Sequence, residues 1–301
     1  MATDTRRLTF LLAVYRAGGV LAAAELLGVT PSAVSQQISR LEAEEGFPVL
    51  ERGPRGVTLT APGKILAEAA ERIEAELVSA NQAIASLGDG VAGKVSIGGF
   101  QTVIRAVIAP ALPRLRDSYP GIELDVQERE PEVAHRMLRS GDLDIVVVER
   151  DADTRGTPHK GLAEIPLLDE PWRLIIPASH PVPQRLSDVA HLTFVNGEEG
   201  TAADRALRRL EYQLGCAIDR RHSTFDFDTT ITLVSAGQGV ALVPALALEG
   251  RLHAPINAVR LTGLGARRLY ARHRSGRHEP SAAVMAVIDQ MVVIADDLDL
   301  R

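Results

Sequence analysis

The first sixty residues repeat apolar positions with a helical period that stops and restarts at glycines. Within Thr5–Ala17 the apolar side chains follow the i, i+3, i+4, i+7 spacing of an amphipathic helix. A second, alanine-rich helix is predicted at Val20–Leu27, and Gly28 follows it where a left-handed cap residue is expected. Thr30 can cap a third helix, with Pro31 at the first position, where a missing N–H is tolerated. Two short helices separated by such a turn predict a helix-turn-helix.

The third helix has a polar face of uncommon composition. Val34, Ile38 and Leu41 form its apolar stripe, and the opposite face carries hydroxyls, an amide and a guanidinium without a carboxylate. Such groups read base edges and phosphates in a DNA major groove, whereas an ordinary solvated face usually mixes glutamate with lysine. The pattern favours DNA binding over a merely solvated face. The predicted DNA-binding residues here are Thr30, Pro31, Ser32, Ser35, Gln36, Ser39 and Arg40.

A small basic hairpin is predicted next. Residues 47–60 place strand-forming side chains around the turn Gly53-Pro54-Arg55-Gly56. This hairpin would be the wing of a winged helix-turn-helix. Arg52 and Arg55 complete the set of predicted DNA-binding residues.

A long helix is predicted from about Ala61 to Leu87. Its apolar residues alternate in steps of four and three, which is typical of a coiled-coil seam of about three heptads. A single helix packed on its own domain is the alternative, but the length and the charged residues off the seam favour dimerisation. The predicted dimerisation residues are Leu66, Ile73, Leu77 and Ile84.

Beyond residue 93 the pattern changes to short apolar strands alternating with amphipathic helices. Such βαβ units predict an α/β fold with a mostly parallel sheet. Strands are predicted at Lys94–Gly99, Ile122–Gln127, Leu143–Glu149, Trp172–Ile176, Leu192–Val195, His222–Phe225, Gly239–Val243 and Arg267–Ala271. Helices are predicted at Val103–Arg116, Glu132–Ser140, Ala202–Leu214, Thr229–Ala236 and Ser281–Leu298.

Composition narrows the possible environments. The chain has 46% hydrophobic and 24% charged residues, no apolar run of about 20 residues, and one cysteine, Cys216. We therefore expect a cytoplasmic protein without a signal peptide, membrane segment or intrachain disulfide, and expect Cys216 to be a small buried residue. Because the net charge is −6, DNA affinity would depend on dimerisation and on a local patch such as Leu26–Leu41, which lacks carboxylates.

Several segments closely resemble the LysR-type transcriptional regulators. The matching residues are 23–30, 33–38, 41–42, 52 and 59–63, and then 95–98, 119–120, 138, 141–144 and 236–244. The likeness covers nearly the whole chain. Three positions depart from the family pattern, since Leu21, Pro31 and Gln36 replace a hydroxyl residue, a glutamine and an arginine that are frequent there. Base preferences of relatives therefore do not transfer.

The resemblance implies a sequence-specific transcriptional regulator whose C-terminal domain is two-lobed, like a periplasmic binding protein, with an effector cleft between the lobes. It also implies a homodimer or homotetramer that binds double-stranded DNA at a pseudo-palindromic operator, responds to an unknown small-molecule effector and has RNA polymerase as a further candidate partner. The expected divisions are 1–60 for DNA binding, 61–92 for the linker, and 93–301 for the effector domain, with lobe 1 about 93–163 and 266–301 and lobe 2 about 164–265. Crossovers are expected near Leu162–Leu168 and Leu261–Arg267.

The resemblance places the effector near the loop that follows the first strand of the C-terminal domain. Thr102 would lie at a helix N-terminus, where a hydroxyl and free amides favour an anion, although plain helix capping explains it equally well. Across the cleft, Gly197–Thr201 precedes a helix and Phe225–Asp228 ends a strand, both at lobe edges where pockets form. Glu128, Glu149 and Asp226 could pair with a cationic ligand or simply be solvated. The predicted effector-binding residues are Phe100, Gln101, Thr102, Glu128, Glu149, Gly200, Thr201, Phe225 and Asp226.

Two other classes of protein fit the sequence less well. An enzyme is disfavoured because the chain has no nucleophile elbow, phosphate-binding loop, dinucleotide fingerprint or metal-spaced histidine pair. We accordingly predict no catalytic residues, no cofactor and no metal site. A purely architectural DNA-binding module would leave the long α/β segment without a role.

Overall fold

The computed structural model describes residues 3–53, 56–85, 91–151, 161–250, 255–275 and 280–300. Contacts divide the chain into two compact units, and each is described by itself. The first is built on residues 1–85, and the second on residues 86–301 apart from two short stretches.

The first unit is a helix-turn-helix followed by a hairpin and a long helix. Gly28 adopts a left-handed conformation (φ 64°) and ends the second helix. The Thr30 hydroxyl accepts a hydrogen bond from the Ala33 amide at 3.2 Å, which starts the third helix as predicted. The elements are α1 Thr5–Ala17, α2 Val20–Leu27, α3 Pro31–Glu45, β1 Leu50–Gly53, β2 Gly56–Leu59 and α4 Ala61–Ala85.

One hydrophobic core joins these elements. Leu11 of α1, Val34 and Leu41 of α3 are fully buried in it. Ala67 and Ala70 of α4 belong to the same core. The first part of the long helix is therefore packed within its own unit, which fixes where the helix leaves the helix-turn-helix.

No single helix in the described part of the chain is long and apolar enough to cross a membrane. The helices α1 and α2 meet the length and composition criteria only as a pair, and the pair bends by 117°. Both helices contribute buried residues to the core of the first unit.

The second unit contains a mixed sheet flanked by helices. Its elements are β3 Gly93–Gly99, α5 Gln101–Val103, α6 Ala109–Ser118, β4 Ile122–Glu128, α7 Pro131–Ser140, β5 Ile145–Asp151, β6 Leu162–Pro177, β7 Thr193–Gly197, α8 Ala202–Leu214, β8 Asp219–Thr224, α9 Phe227–Ser235, β9 Ala241–Pro244, β10 Ile256–Val259, β11 Ala266–Arg274 and α10 Ala282–Asp297.

The main sheet has the strand order β10-β6-β11-β5-β3-β4, with β9 also paired to β6. β3 is parallel to β4 and β5, and β7 is parallel to β8. In contrast, β11 lies antiparallel between β5 and β6. β10 and β9 are also antiparallel to β6, so the prediction of a mostly parallel sheet is wrong for this sheet, in which only β3, β4 and β5 pair in parallel among the described strands.

Two groups of buried residues divide the second unit into a first and a second lobe. The core of the first lobe includes Ile97, Val107, Ile145, Leu269 and Val287. The core of the second lobe includes Trp172, Phe194, Leu207, Leu210 and Leu242. The strand β6 serves both lobes, since its Leu167 packs in the first core and its Leu174 in the second.

Strand β6 is much longer than predicted. The sequence pattern predicts a strand at Trp172–Ile176, and the family resemblance implies a crossover between the lobes near Leu162–Leu168. All 16 residues of Leu162–Pro177 form one strand, which includes that segment. Pro166 lies in the first half of this strand, although proline disfavours strand interiors. The structure accommodates it where the register with β11 shifts. The short strand β10 is not predicted at all.

Two further features differ from expectation. The predicted helix at Val103–Arg116 is interrupted by a π-helical segment, Ile104–Ile108, between α5 and α6. Pro110 and Pro113 lack amide hydrogens, so this helix cannot keep a regular hydrogen-bond ladder. Cys216 is exposed rather than buried, because it lies just after Gly215, which ends α8.

Candidate DNA interface and candidate effector site

The polar face of α3 is available for an external partner. Its side chains make no hydrogen bond or ion pair with other described residues, apart from the Thr30 cap. Val34, Ile38 and Leu41 are buried on the other side and hold the helix in place. The predicted DNA-binding residues that are exposed on this face are Thr30, Pro31, Ser32, Ser35, Gln36, Ser39 and Arg40.

The hairpin supplies a second surface next to α3. β1 and β2 pair antiparallel, with Arg52 opposite Val57. The Arg52 side chain and all of Arg55 lie outside the described residues. The structure thus gives the backbone of the wing on which both arginines were predicted.

The predicted dimerisation residues fall into two groups on α4. Leu66 is partly buried against the core of its own unit. Ile73, Leu77 and Ile84 are exposed by 37%, 62% and 65%, and their spacing places them on one side of the helix. The middle of α4 is further tied to α1 by a 2.7 Å ion pair from Arg16 to Glu74. The apolar stripe available to a second helix therefore begins near Ile73.

In the second unit, the predicted effector loop leads to a buried polar cluster. Phe100 occupies the N-cap position of α5, and Thr102 lies in its first turn with only 2% of its surface exposed. The Thr102 hydroxyl accepts a hydrogen bond from Arg267 Nη2 at 3.1 Å. Thr102 therefore does not cap the helix, and the position predicted to attract an anion is occupied by an arginine of the chain itself.

Arg267 is the centre of this cluster. Its Nε donates to Glu170 at 2.7 Å, its Nη1 donates to Glu149, and Arg267 and Glu170 are 3% and 0% exposed. The guanidinium carbon lies 4.9 Å from the Phe100 ring centre and 5.9 Å from that of Trp172. Burial alone lowers the pKa of Arg267, but the carboxylates of Glu170 and Glu149 outweigh it and raise that pKa above its ordinary value.

Glu149 also connects to the second lobe. Arg205 of α8 donates from Nη2 to Glu149 at 2.8 Å and from Nη1 to the Gly200 carbonyl at 2.7 Å. Thr201, which follows Gly200, caps α8 by accepting from the Asp204 amide at 3.3 Å. The predicted residues Glu149, Gly200 and Thr201 are thus brought to one place, where the two lobes meet.

The remaining predicted residues lie at the start of α5, at the start of α9 and at the end of β4. Asp226 caps α9 by accepting from the Thr229 amide at 2.7 Å, and Phe225 before it is 82% exposed. Gln101 Nε2 lies 3.5 Å from an Asp228 oxygen, at the start of α9. Glu128 is exposed at the end of β4 and forms no ion pair within the described ranges. Within the described ranges, these side chains make no hydrogen bond or ion pair with the buried cluster.

A further connection between the lobes runs through Arg105 in the π-helical segment. Its Nη2 donates to the carbonyls of Leu246 and Ala247 at 2.9 and 3.0 Å, and its Nη1 lies 3.6 Å from Asp228. A cavity of about 550 Å³ also borders Arg105, and Leu298 is on its other side. None of the predicted effector-binding residues lines that cavity.

Sequence reasoning missed Arg267, Glu170 and Arg205. A usable signal existed for the first two, because residues of the same parity share one face of a strand. Arg267 has the parity of Leu269 and Ala271, and Glu170 that of Trp172. A charged residue on a core-facing position is costly unless paired, so both positions could have been marked as members of a buried ion pair.

Each of the two units matches a known family model. The family model "Bacterial regulatory helix-turn-helix protein, lysR family" matches residues 5–64, and the model "LysR substrate binding domain" matches residues 88–292. The hydrogen peroxide-inducible genes activator of Pectobacterium carotovorum subsp. carotovorum is 28% identical over 249 residues, which are 81% of this chain and 81% of that protein.

Solved structures show the same fold. A full-length OxyR variant from Pseudomonas aeruginosa has a TM-score of 0.64 at 20% identity, covering 99% of each chain. Full-length CbnR, solved in complex with its target DNA, has a TM-score of 0.55 at 23% identity, covering 97% of this chain and 99% of that one.

Proposed function

Because this chain belongs to the LysR family of DNA-binding transcriptional regulators, we propose how its residues divide that function. Residues 1–60 read operator DNA, residues 61–92 join two copies, and residues 93–301 bind a small-molecule effector. The observation that carries this proposal is the polar face of α3, which is held by a buried opposite side and has no intramolecular partners among the described residues.

The exposed groups on α3 match the chemistry of a major groove. Serine hydroxyls and the Gln36 amide can both donate to and accept from base edges, while Arg40 carries positive charge for a phosphate. Ser35 and Gln36 lie in the middle of the face and are the proposed base-reading residues. Arg52 and Arg55 of the wing would add sequence-independent contacts with the DNA backbone.

Dimerisation would use the exposed stripe of Ile73, Leu77 and Ile84. An apolar stripe of this kind on a helix of 25 residues fits a coiled-coil seam. Two paired helix-turn-helix units would recognise a two-fold operator and double the number of phosphate contacts. The doubled contacts would supply DNA affinity despite a net charge of −6 in each chain.

The effector site is proposed at the lobe junction, near Phe100, Thr102, Glu149, Gly200 and Asp226. Effector binding would favour one arrangement of the lobes and thereby change operator affinity or bending. The relative from Pectobacterium carotovorum is named for induction by hydrogen peroxide. The 301 residues here contain a single cysteine, so oxidation of two thiols to a disulfide within one chain is not available as the signal.

We further propose that the protein acts in the cytoplasm without catalysis of its own. Its charges at the lobe junction are paired with one another in ion pairs such as Arg267 with Glu170, and this is the arrangement of a binding or structural network. A protein that binds operator DNA must be in the same compartment as the genome.

A footprint on the DNA upstream of the protein's own gene tests whether the polar face of α3 reads DNA. The wild-type chain should protect a roughly two-fold site, and the S35A/Q36A variant should lose about 1–3 kcal/mol of discrimination for each base contact removed. Thr9→Ala is the matched control, because Thr9 is also exposed but lies on α1. Equal protection by wild type and S35A/Q36A would reject α3 as the reading element.

A single substitution tests the dimer seam. Leu77→Glu places a charge in the centre of the exposed stripe, so we expect a monomer in light scattering and a loss of the footprint. Glu76→Gln on the same helix should leave both unchanged. A Leu77→Glu chain that remains dimeric would show that copies of the chain associate elsewhere.

A further inference from the structure

We propose that Arg205, Arg209, Glu149 and Asp151 form an ionic latch that holds the two lobes together beside the proposed effector site. These four residues form the side latch. Two of them belong to α8 of the second lobe and two to the end of β5 in the first lobe. The regulatory role of the latch rests on the proposed function, but its mechanical role does not.

The side latch depends on a match of two spacings. Arg205 and Arg209 are one helical turn apart, so they lie on the same face of α8 about 6 Å from each other along the axis. Glu149 and Asp151 are two residues apart on a strand, so they point to the same side with a rise of about 6.6 Å. Two cations and two anions therefore face each other in register.

The contacts follow this register. Arg205 Nη2 lies 2.8 Å from Glu149, and its Nε lies 3.8 Å from Asp151. Arg209 Nη1 lies 3.0 Å from the other oxygen of Asp151. Arg209 also donates to the Leu264 carbonyl at 3.3 Å, which fixes the arginine to the second lobe.

The two halves of the latch differ in exposure. The side chains of Asp151 and Arg209 are 21% and 16% exposed, whereas that of Arg205 is 42% exposed. Partly buried pairs are screened less by salt than exposed ones. The Arg209 half is therefore the firmer one, and the Arg205 half is the one that solvent or a bound molecule can reach.

Two of the proposed effector-binding residues are connected with the side latch: Glu149 is part of it, and Gly200 is hydrogen-bonded to it. Glu149 is shared between Arg205 and the buried Arg267, and the Gly200 carbonyl accepts a hydrogen bond from Arg205. A molecule that hydrogen-bonds to Glu149 or displaces the Gly200 loop competes with Arg205 for its partners. Occupancy of the site and the angle between the lobes are thereby coupled through one arginine.

The distance between the lobes can be measured directly in the full-length chain. A spin label on the native exposed Cys216 marks the second lobe, and one on Asp117→Cys marks the first. Labelled chains are diluted into excess unlabelled chains, so that only distances within one chain contribute. We expect R205M/R209M to broaden the distance distribution and to raise the population outside the wild-type range by about fivefold or more.

The matched control is Arg208→Met. Arg208 lies between the two latch arginines on α8, but its partners Glu199 and Asp204 belong to its own lobe. Its replacement should leave the distribution unchanged. The exchanged pair D151R/R209D should give a narrower distribution than D151R alone, because it puts an opposite charge back at position 209.

Salt gives an independent readout. At 1 M salt the Debye length is about 3 Å, so the wild-type distribution should move towards that of R205M/R209M. R205M/R209M should respond less, because Arg105–Asp228 is the partly exposed ion pair between the lobes that it keeps among the described residues. The latch is overturned if R205M/R209M stays as narrow as wild type while folded, or if R208M broadens equally. Absence of a footprint with the wild-type chain would count against the DNA-binding proposal, and it would leave this distance measurement unaffected.

Discussion

The reading face of α3 and the lobe junction use polar residues in opposite ways. On α3, Ser32, Ser35 and Gln36 are exposed and have no partners among the described residues. At the lobe junction, Thr102, Glu149 and Arg267 are engaged with one another and largely buried. The first surface gains its interactions only when a partner arrives, and the second already contributes its interactions to the stability of the unit.

This difference predicts how substitutions will separate stability from recognition. Removing a side chain from the reading face takes away contacts with a partner and leaves the fold intact. Removing one from the lobe junction leaves a buried charge or hydroxyl without its partner, which costs more free energy than the lost hydrogen bond itself. The predictions below test that contrast in order of decreasing effect on the free energy of unfolding.

Arg267→Met should have the largest effect. Glu170 and Glu149 would keep their charges with too little compensation, and removing one partner of a buried pair typically costs about 3–5 kcal/mol. Trp172 is the only tryptophan of the chain and lies in the second unit, so its fluorescence follows the unfolding of this unit in urea.

The neighbouring arginine provides the control for that measurement. Arg268 pairs with Asp169, but their side chains are 47% and 63% exposed. Arg268→Met should therefore cost less than about 1 kcal/mol. If Arg267→Met and Arg268→Met lower the free energy of unfolding by similar amounts, the buried ion pair contributes no more to stability than the exposed one.

Asp204→Asn should have an intermediate and pH-dependent effect. Asp204 is 2% exposed and accepts from the Gly200 amide at 3.1 Å and from Arg208 and Arg220 at 3.0 and 2.9 Å. Burial by itself raises the pKa of Asp204, but these donors together lower it below its usual value. The substitution should cost about 1–3 kcal/mol at pH 7.

The sign of the pH dependence follows from the lowered pKa. A carboxyl group whose pKa is depressed by folding stabilises the protein above its unfolded pKa, and that stabilisation is lost as the pH falls through the folded pKa. The gap between wild type and Asp204→Asn should therefore narrow below about pH 4. Glu199→Gln, which removes an exposed partner of Arg208, should show no such trend.

The smallest effect is expected from S35A/Q36A. Both residues are exposed, and neither has a partner among the described residues, so the unfolding free energy of the first unit should change by less than about 0.5 kcal/mol. Thermal unfolding followed by circular dichroism measures this change. A loss above 1 kcal/mol would show that the reading face is part of the fold after all.

The same contrast explains what could be predicted from the sequence. The boundaries of α1, α2 and α8 and the two caps at Gly28 and Thr30 were predicted correctly, because local residues determine them. The partners of Thr102 could not be predicted in this way. Thr102 and Arg267 are 165 positions apart, and no local pattern specifies a contact at that separation.

The length of strand β6 was predicted wrongly for a related reason. Its first half is paired with β11, which lies about a hundred residues later in the chain, and no local pattern specifies that pairing. The effector-binding residues remain predictions, as do the domain boundaries. The structure brings Glu149, Gly200 and Thr201 together, and experiments on ligands must decide what they bind.

The position of β11 has a consequence for the order of synthesis on the ribosome. The chain emerges from its N-terminus, so every strand of the second lobe is complete before β11, Ala266–Arg274, is made. Until then β5 and β6 each lack the neighbour that lies between them in the finished sheet. Unpaired strand edges invite pairing with other nascent chains, and a chain that stops near residue 265 should aggregate even though its second lobe can fold.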